Sequence, residues 1–325
     1  MSIIVTGSIA TDYLTDFRGR FVEQMLPDRL DSLSVSFLVE NLAIHRGGAG
    51  ANIAFNLGCF GLAPVLVGAV GADFAEYGEW LSAHGVDISA VHISQTKHTA
   101  RFMCITDFDS NQIGSFYAGA MSESSDIELK PIVDGLYRTD LVVVGPNDPA
   151  AMLRHTQECR DRGYPFAADP SQQLATLAGD QIKLLVEEAT YLFTNDYERG
   201  LLQLKTGWSD EDICGRVGVS VITRGAKGVT VQRSDEPVIS VTPPQERIKA
   251  DPTGVGDAFR AGFLAGVEWG VSDERAAQLG CTLATLVIES VGTQDHKFES
   301  KTFLERFSEA YGPDNAAEVA DYLRG

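Results

Sequence analysis

The chain has 325 residues, 44% hydrophobic and 22% charged, which are ordinary globular values that exclude a disordered or fibrous protein. Its net charge of −19, with no cluster of Lys and Arg, argues against nucleic acid or an anionic membrane surface as partner. Nucleotide substrates are still admissible, because backbone N–H groups, a metal ion and a few local cations can hold phosphates on an acidic protein.

In chain order, IIVTGSI is expected to be a strand that runs into a polar turn around Ser8 and Asp12, without the charged start and long apolar core of a leader peptide. Two segments, about 13–46 and 92–120, hold alternating stretches such as SVSFLV and TARFMCITD, the pattern of strands with one face exposed. Elsewhere VLVGAV, LVVVG, FAAD, YLFT and VSVIT read as buried strands. Helical patterns such as DFAEYGEWLSAHG and PAAMLRHTQECRDRG separate them. Near-continuous apolar strands alternating with helices predict an α/β fold with a mainly parallel sheet covered on both faces. The two alternating segments are then insertions that build a small accessory sheet over one edge. No linker, repeat or low-complexity tract divides the chain.

Five cysteines, Cys59, Cys104, Cys159, Cys214 and Cys281, form no CxxC pair, and the six histidines show no metal-ligand spacing. Reduced thiols in a cytoplasmic protein are the expectation. No apolar run approaches the roughly 18 residues of a membrane span.

Ligands of an open parallel sheet bind beyond the carboxyl ends of its strands. Polar residues stand at the expected ends of several: Ser8 and Asp12, Asn147 and Asp148, Asp169, Asn195 and Thr223. Late in the chain, DPTGVGDAF opens a helical pattern with apolar or small residues at 255, 258, 259, 262, 263 and 266. A helix N-terminus offers unpaired N–H groups and partial positive charge. Glycines at 254 and 256 leave that backbone open to an anion. Asp257 in the first turn either offsets the helix dipole or takes a proton from a hydroxyl attacking a phosphate held there.

DPTGVGDAF, together with RGGAGANIA at 46–54, resembles the two signatures of the ribokinase-like (PfkB) carbohydrate and nucleoside kinases. The resemblance implies one α/β/α domain over 1–325 with a β-sheet lid made by the two insertions. It implies Asp257 as catalytic base and the backbone of Gly254, Val255 and Gly256 as anion hole. Asn195 and Glu198 of NDYE would organise magnesium, water and phosphate. Thr223, Gly225 and Gly228 of TRGAKG would contact ATP, with the region from Glu289 to Gly292 alongside. Asp12, Gly48 and Asn52 would grip the sugar hydroxyls. Longer stretches, among them VTGSIATD, HTARF and FAADPSQQ, are similar to the family's bacterial adenosine kinases. They imply Phe102 and Phe116 as platforms for adenine, with Ser8, Ser36, Gln172 and Gln173 as further nucleoside contacts. The implied reaction is transfer of the ATP γ-phosphate, with Mg²⁺, to the 5′-hydroxyl of adenosine. Many members respond to K⁺, which here would involve Asp251 and Thr253, and a homodimer through the lid sheet is expected. Another nucleoside, a free sugar, or a nucleoside sensor without turnover are the competing readings.

Overall fold

The computed structural model describes residues 3–25, 32 and 34–323. Among them thirteen strands form two sheets. The nine-stranded sheet contains β1 (Ile3–Thr6), β4 (Val65–Val70), β5 (Val91–Ile93), β8 (Leu141–Val144), β9 (Phe166–Ala168), β10 (Tyr191–Asn195), β11 (Val219–Thr223), β12 (Val229–Gln232) and β13 (Ile239–Val241). Its order is β13-β12-β11-β10-β9-β8-β1-β4-β5, parallel except for the pairings of β12 with β11 and β13.

The strands are apolar without interruption because both faces are covered. Ile3, Val5, Leu66, Val143 and Phe193 point into one core with Phe55, Phe263, Leu279 and Phe303. Ile4, Val65, Val142, Val144 and Leu192 point into the other, against Met152, Ile182, Leu202 and Ile213. Each such side chain contributes about 1.5–3 kcal/mol on full burial. The result is the α/β/α layering expected from the sequence, with the helices Ala49–Cys59, Val255–Trp269 and Asp273–Ile288 on the first face.

Strand order turns at β1. From β1 the chain builds outward to β4 and β5 on one side, and to β8, β9, β10 and β11 on the other. A crevice opens between β1 and β8 at such a reversal. Here Ser8 N–H donates to Pro146 O at 2.9 Å and Gly145 N–H to Thr6 O at 2.8 Å, so the two strand exits are tied together.

The smaller sheet, order β3-β2-β6-β7, contains β2 (Ala10–Asp16), β3 (Asn41–Gly47), β6 (Ala100–Thr106) and β7 (Gln112–Tyr117). Three residues separate β1 from β2, so the small sheet rises directly from the crevice. This corrects two expectations. Asp12 lies in a strand, not in a turn, with Phe102 as its register partner on β6 and His45 on β3. SVSFLV, residues 34–39, forms no strand. Its alternation has a different cause: Phe37 packs against Phe17 and Phe21, each with ring centroids 5.0 Å away, while Ser36 and Leu38 face outward.

All five cysteines are free. No helix among the described residues is long and apolar enough to cross a membrane.

Candidate active site

Two helix starts meet at the crevice. In the first, Gly48 has φ +92°, and a Cβ there would lie 2.5 Å from Ser8 O, so the RGGAGAN turn needs glycine for both conformation and space. Ser8 caps the helix behind it: its Oγ accepts Ala49 N–H at 3.0 Å and its carbonyl accepts Ala51 N–H at 3.2 Å. This turn presents Asn52. In the second, Gly254 adopts the left-handed conformation, φ +75°, and, being glycine, offers no side chain to cap the helix Val255–Trp269. Its first-turn N–H groups have no intrahelical acceptor, the condition for an anion cradle.

Asn52 joins the two starts. Its Nδ2 donates to Asp257 Oδ2 at 2.9 Å, while its Oδ1 accepts from Thr293 Oγ1 and Gln294 Nε2, both at 2.9 Å. The amide orientation follows from these partners. Burial raises the Asp257 carboxyl above its ordinary range. The Arg260 charge and the Asn52 hydrogen bond pull it down again, and Glu198 pushes it up. Burial likewise raises Asp12, to about 6, against the lowering effect of His45.

A cavity of about 470 Å³ lies over this junction. Ser8, Asp12, Gly48, Asn52, Gly254 and Asp257 line it, together with Gln173 and the more exposed Phe102, Phe116 and Gln172. The structure therefore brings together most of the residues expected for the acceptor. Ser36 is the exception: it is exposed on the irregular 34–39 segment and does not line the cavity. Gln173 is committed, its Nε2 donating to Asn147 O at 2.8 Å and its Oε1 accepting from Thr176. The Gln172 side chain has no hydrogen-bond partner among the described residues and is exposed.

On the other side of the same helix start is a second, more apolar cleft of about 280 Å³. Thr253, Gly254 and Asp257 face the first cavity, whereas Pro252 and Val255 face the second. Gly225 lines the second cleft, but Gly228 does not. A Cβ on Gly228 would meet Val241 O at 2.1 Å, so that glycine lets β13 pack closely against the turn between β11 and β12. The 289–292 region, expected beside ATP, is replaced by Ala284, Thr285 and Ile288 one turn earlier. Glu289 instead accepts hydrogen bonds from Arg306 and from Arg247 N–H. Ala226, Pro243, Pro244, Glu246 and Lys249 complete the cleft, and those at 243–249 carry no motif that sequence reading could use.

Asn195 and Thr223 are register partners at the carboxyl ends of β10 and β11. Asn195 also caps its helix reciprocally with Glu198: Glu198 N–H donates to Asn195 Oδ1 and Asn195 N–H to Glu198 Oε2, both at 2.8 Å. Among the described residues no group of three or more His, Cys, Asp or Glu could cage a metal. A magnesium ion fits here only as one carried on phosphate oxygens and water, with Glu198 within the same electrostatic neighbourhood as Asp257. Asp251 holds the loop before the helix, accepting Thr253 N–H at 2.9 Å and Gly292 N–H at 3.1 Å. A separate cavity of about 710 Å³ beside Trp80, His84 and His296 is lined by none of the expected residues.

Across residues 21–300 the chain matches the pfkB family carbohydrate kinases. The chain belongs to this family. It is similar to the Burkholderia thailandensis nucleoside kinase, whose structure in complex with inosine superposes with a TM-score of 0.83 at 34% identity, covering 96% of this chain and 99% of that one. The Methanocaldococcus jannaschii nucleoside kinase gives a TM-score of 0.83 at 25% identity, covering 95% and 98%. A nucleoside kinase of Methanothermobacter thermautotrophicus is 29% identical over 316 residues, 95% of this chain and 96% of its own. The PfkB fold and its kinase chemistry are thus those of this chain, and both glycine-rich helix starts lie within the matched residues.

Proposed function

We propose that this protein is an ATP-dependent nucleoside kinase that transfers the γ-phosphate to the 5′-hydroxyl of adenosine, giving AMP and ADP. The observation that carries the reading is that Asp257 lines one cavity together with Asp12, Asn52 and the rings of Phe102 and Phe116, while its neighbours Pro252 and Val255 line a second cleft across the same helix start.

In this reading the ribose lies against Asp12, Gly48 and Asn52, where a carboxylate can accept from two neighbouring hydroxyls. The base lies against Phe102 and Phe116. The ATP adenine occupies the second cleft, and its phosphates run past Gly225 and Thr223 to the 254–256 backbone. Asp257 accepts the 5′-hydroxyl proton as that oxygen bonds to the γ-phosphorus and the bond to the ADP oxygen breaks. The N–H groups of Val255 and Gly256 stabilise charge on the phosphoryl oxygens. Asn195 and Glu198 are the residues that would orient the water shell of a magnesium ion arriving with ATP, which would neutralise phosphate charge. Asp251 and Thr253 are where K⁺ would act, so activity with K⁺ replaced by Na⁺ tests that role. The exposed Leu42, Ile44 and Ile113 of the small sheet offer a surface to a second copy, which sedimentation would reveal.

A second reading, inosine as acceptor, is favoured by the uncommitted Gln172 amide, which can present either a donor or an acceptor to the base, and by the inosine bound to the Burkholderia thailandensis relative. A rate panel with adenosine, inosine, cytidine and ribose decides among acceptors. Adenosine should have the highest kcat/KM, and a higher value for ribose would overturn the nucleoside reading. Asp257→Asn should lower kcat about 10²–10⁴-fold with nucleoside binding retained. An unchanged rate would remove Asp257 as base, whereas binding without any turnover in the wild type would mark a sensor.

A further inference from the structure

One turn into the helix Val255–Trp269 stands a cation that the scheme above does not use. Arg260 is buried, and its side chain, 7% exposed, grips Asp169, 1% exposed, with Nε to Oδ2 at 2.5 Å and Nη2 to Oδ1 at 2.6 Å. Asp169 is itself fixed at the exit of β9, where its N–H donates to Val144 O. The third guanidinium nitrogen packs beneath the cradle: a Cβ on Gly256 would stand 2.8 Å from Nη1, the one contact that residue would meet. The Phe193 ring closes the remaining side, its centroid 5.9 Å from the guanidinium carbon.

A buried ion pair of this kind is a poor source of stability, since desolvating both charges offsets their attraction. Its location gives it another use. Besides Arg260, the ionisable groups facing Asp257 are Glu198, Asp169 and Tyr77, so Arg260 is the cation among three carboxyls. Its fork is rigid and its charge permanent.

We propose that Arg260, held by Asp169, is a positioning residue for phosphoryl transfer, fixing the 254–257 turn and placing a permanent positive charge beneath the anion cradle and beside the base. The pair anchors the helix start to the end of the central sheet. Arg260 favours the ionised form of Asp257 and strengthens the field in which the transferring phosphoryl group sits. The proposal rests on the reading of Asp257 as base.

The test compares Arg260→Met, Arg260→Lys and the neutral pair Arg260→Met/Asp169→Asn with Asp257→Asn, using ATP and adenosine. The measurements are kcat, nucleoside KM, melting temperature and the pH profile of kcat/KM. Both neutralised variants should lose about 10²-fold in kcat while nucleoside KM stays within about threefold. The acidic limb of their profile should move to higher pH, because the cation that favoured the carboxylate is gone. Arg260→Lys keeps the charge but not the fork, so its limb should stay at the wild-type position with kcat reduced. If Arg260→Met leaves an uncompensated buried carboxylate and fails to fold, the neutral pair gives the reading. Should neither fold, the limb of Arg260→Lys decides. A folded neutral pair with wild-type kcat and an unmoved limb, or a lysine variant whose limb moves, overturns the proposal. Activity retained in Asp257→Asn would instead overturn the base assignment, and the two failures are therefore distinguishable.

Discussion

Asn52 and Asp257, 205 residues apart in the chain, are held together by a 2.9 Å hydrogen bond from amide to carboxylate. The bond connects the two glycine-rich helix starts and sets the orientation of the proposed base. Asn52→Ala would leave Thr293 and Gln294 without their shared acceptor and Asp257 without its donor. A loss of about 1–3 kcal/mol in a denaturant titration is expected. Because that hydrogen bond lowers the Asp257 pKa, the acidic limb of kcat/KM should also move to higher pH. An unmoved limb would mean that Asn52 does not act on the carboxylate.

Asp12 gives a prediction in which stability and activity part. Its folded value of about 6 lies above the ordinary 3.8, so between these values the folded state binds more protons than the unfolded one. Stability contributed by this group therefore falls as pH rises from about 4 through 6. Asp12→Asn should raise the melting temperature at pH 7, with the gain fading below pH 4, while nucleoside KM rises. A lower melting temperature at pH 7 would contradict the burial penalty.

Gly254 tests the cradle. Its φ of +75° disfavours any side chain by about 1–2 kcal/mol, and a Cβ would come within 2.9 Å of the Thr293 side chain. Gly254→Ala should therefore lose kcat by more than tenfold with a smaller change in nucleoside KM. Equal, small changes in both would show that the turn tolerates displacement.

Phe102 and Phe116 face one another across β6 and β7, and both are partly exposed, at 37% and 54%. Exposure of this degree makes them minor contributors to folding, so either alanine variant should melt close to the wild type. Loss of a stacking ring costs about 1–3 kcal/mol per base, which is about 5- to 150-fold in nucleoside KM, with ATP KM unchanged. Unaltered kinetics with nucleosides would move the base elsewhere.

The sequence by itself determined the layers and the two helix starts. Continuous Val and Ile runs specify strands buried on both faces, and a glycine-rich helix N-terminus is a local object whose dihedrals and free N–H groups arise within about four residues. Gly254 was readable for that reason and Asp257 as one of two local readings, whereas Asn52 entered only through the resemblance to the family signatures. Tertiary structure alone decided which distant groups share a site. Ser36 falls away from the cavity because Phe37 turns that segment into the Phe17 and Phe21 cluster. Pro243, Pro244 and Ile288 wall the second cleft with side chains of ordinary core type, and Arg260 meets Asp169 across 91 residues without any spacing that announces it. Contacts of that kind depend on where sheet and helix pack, and a residue's chemistry does not encode its partner.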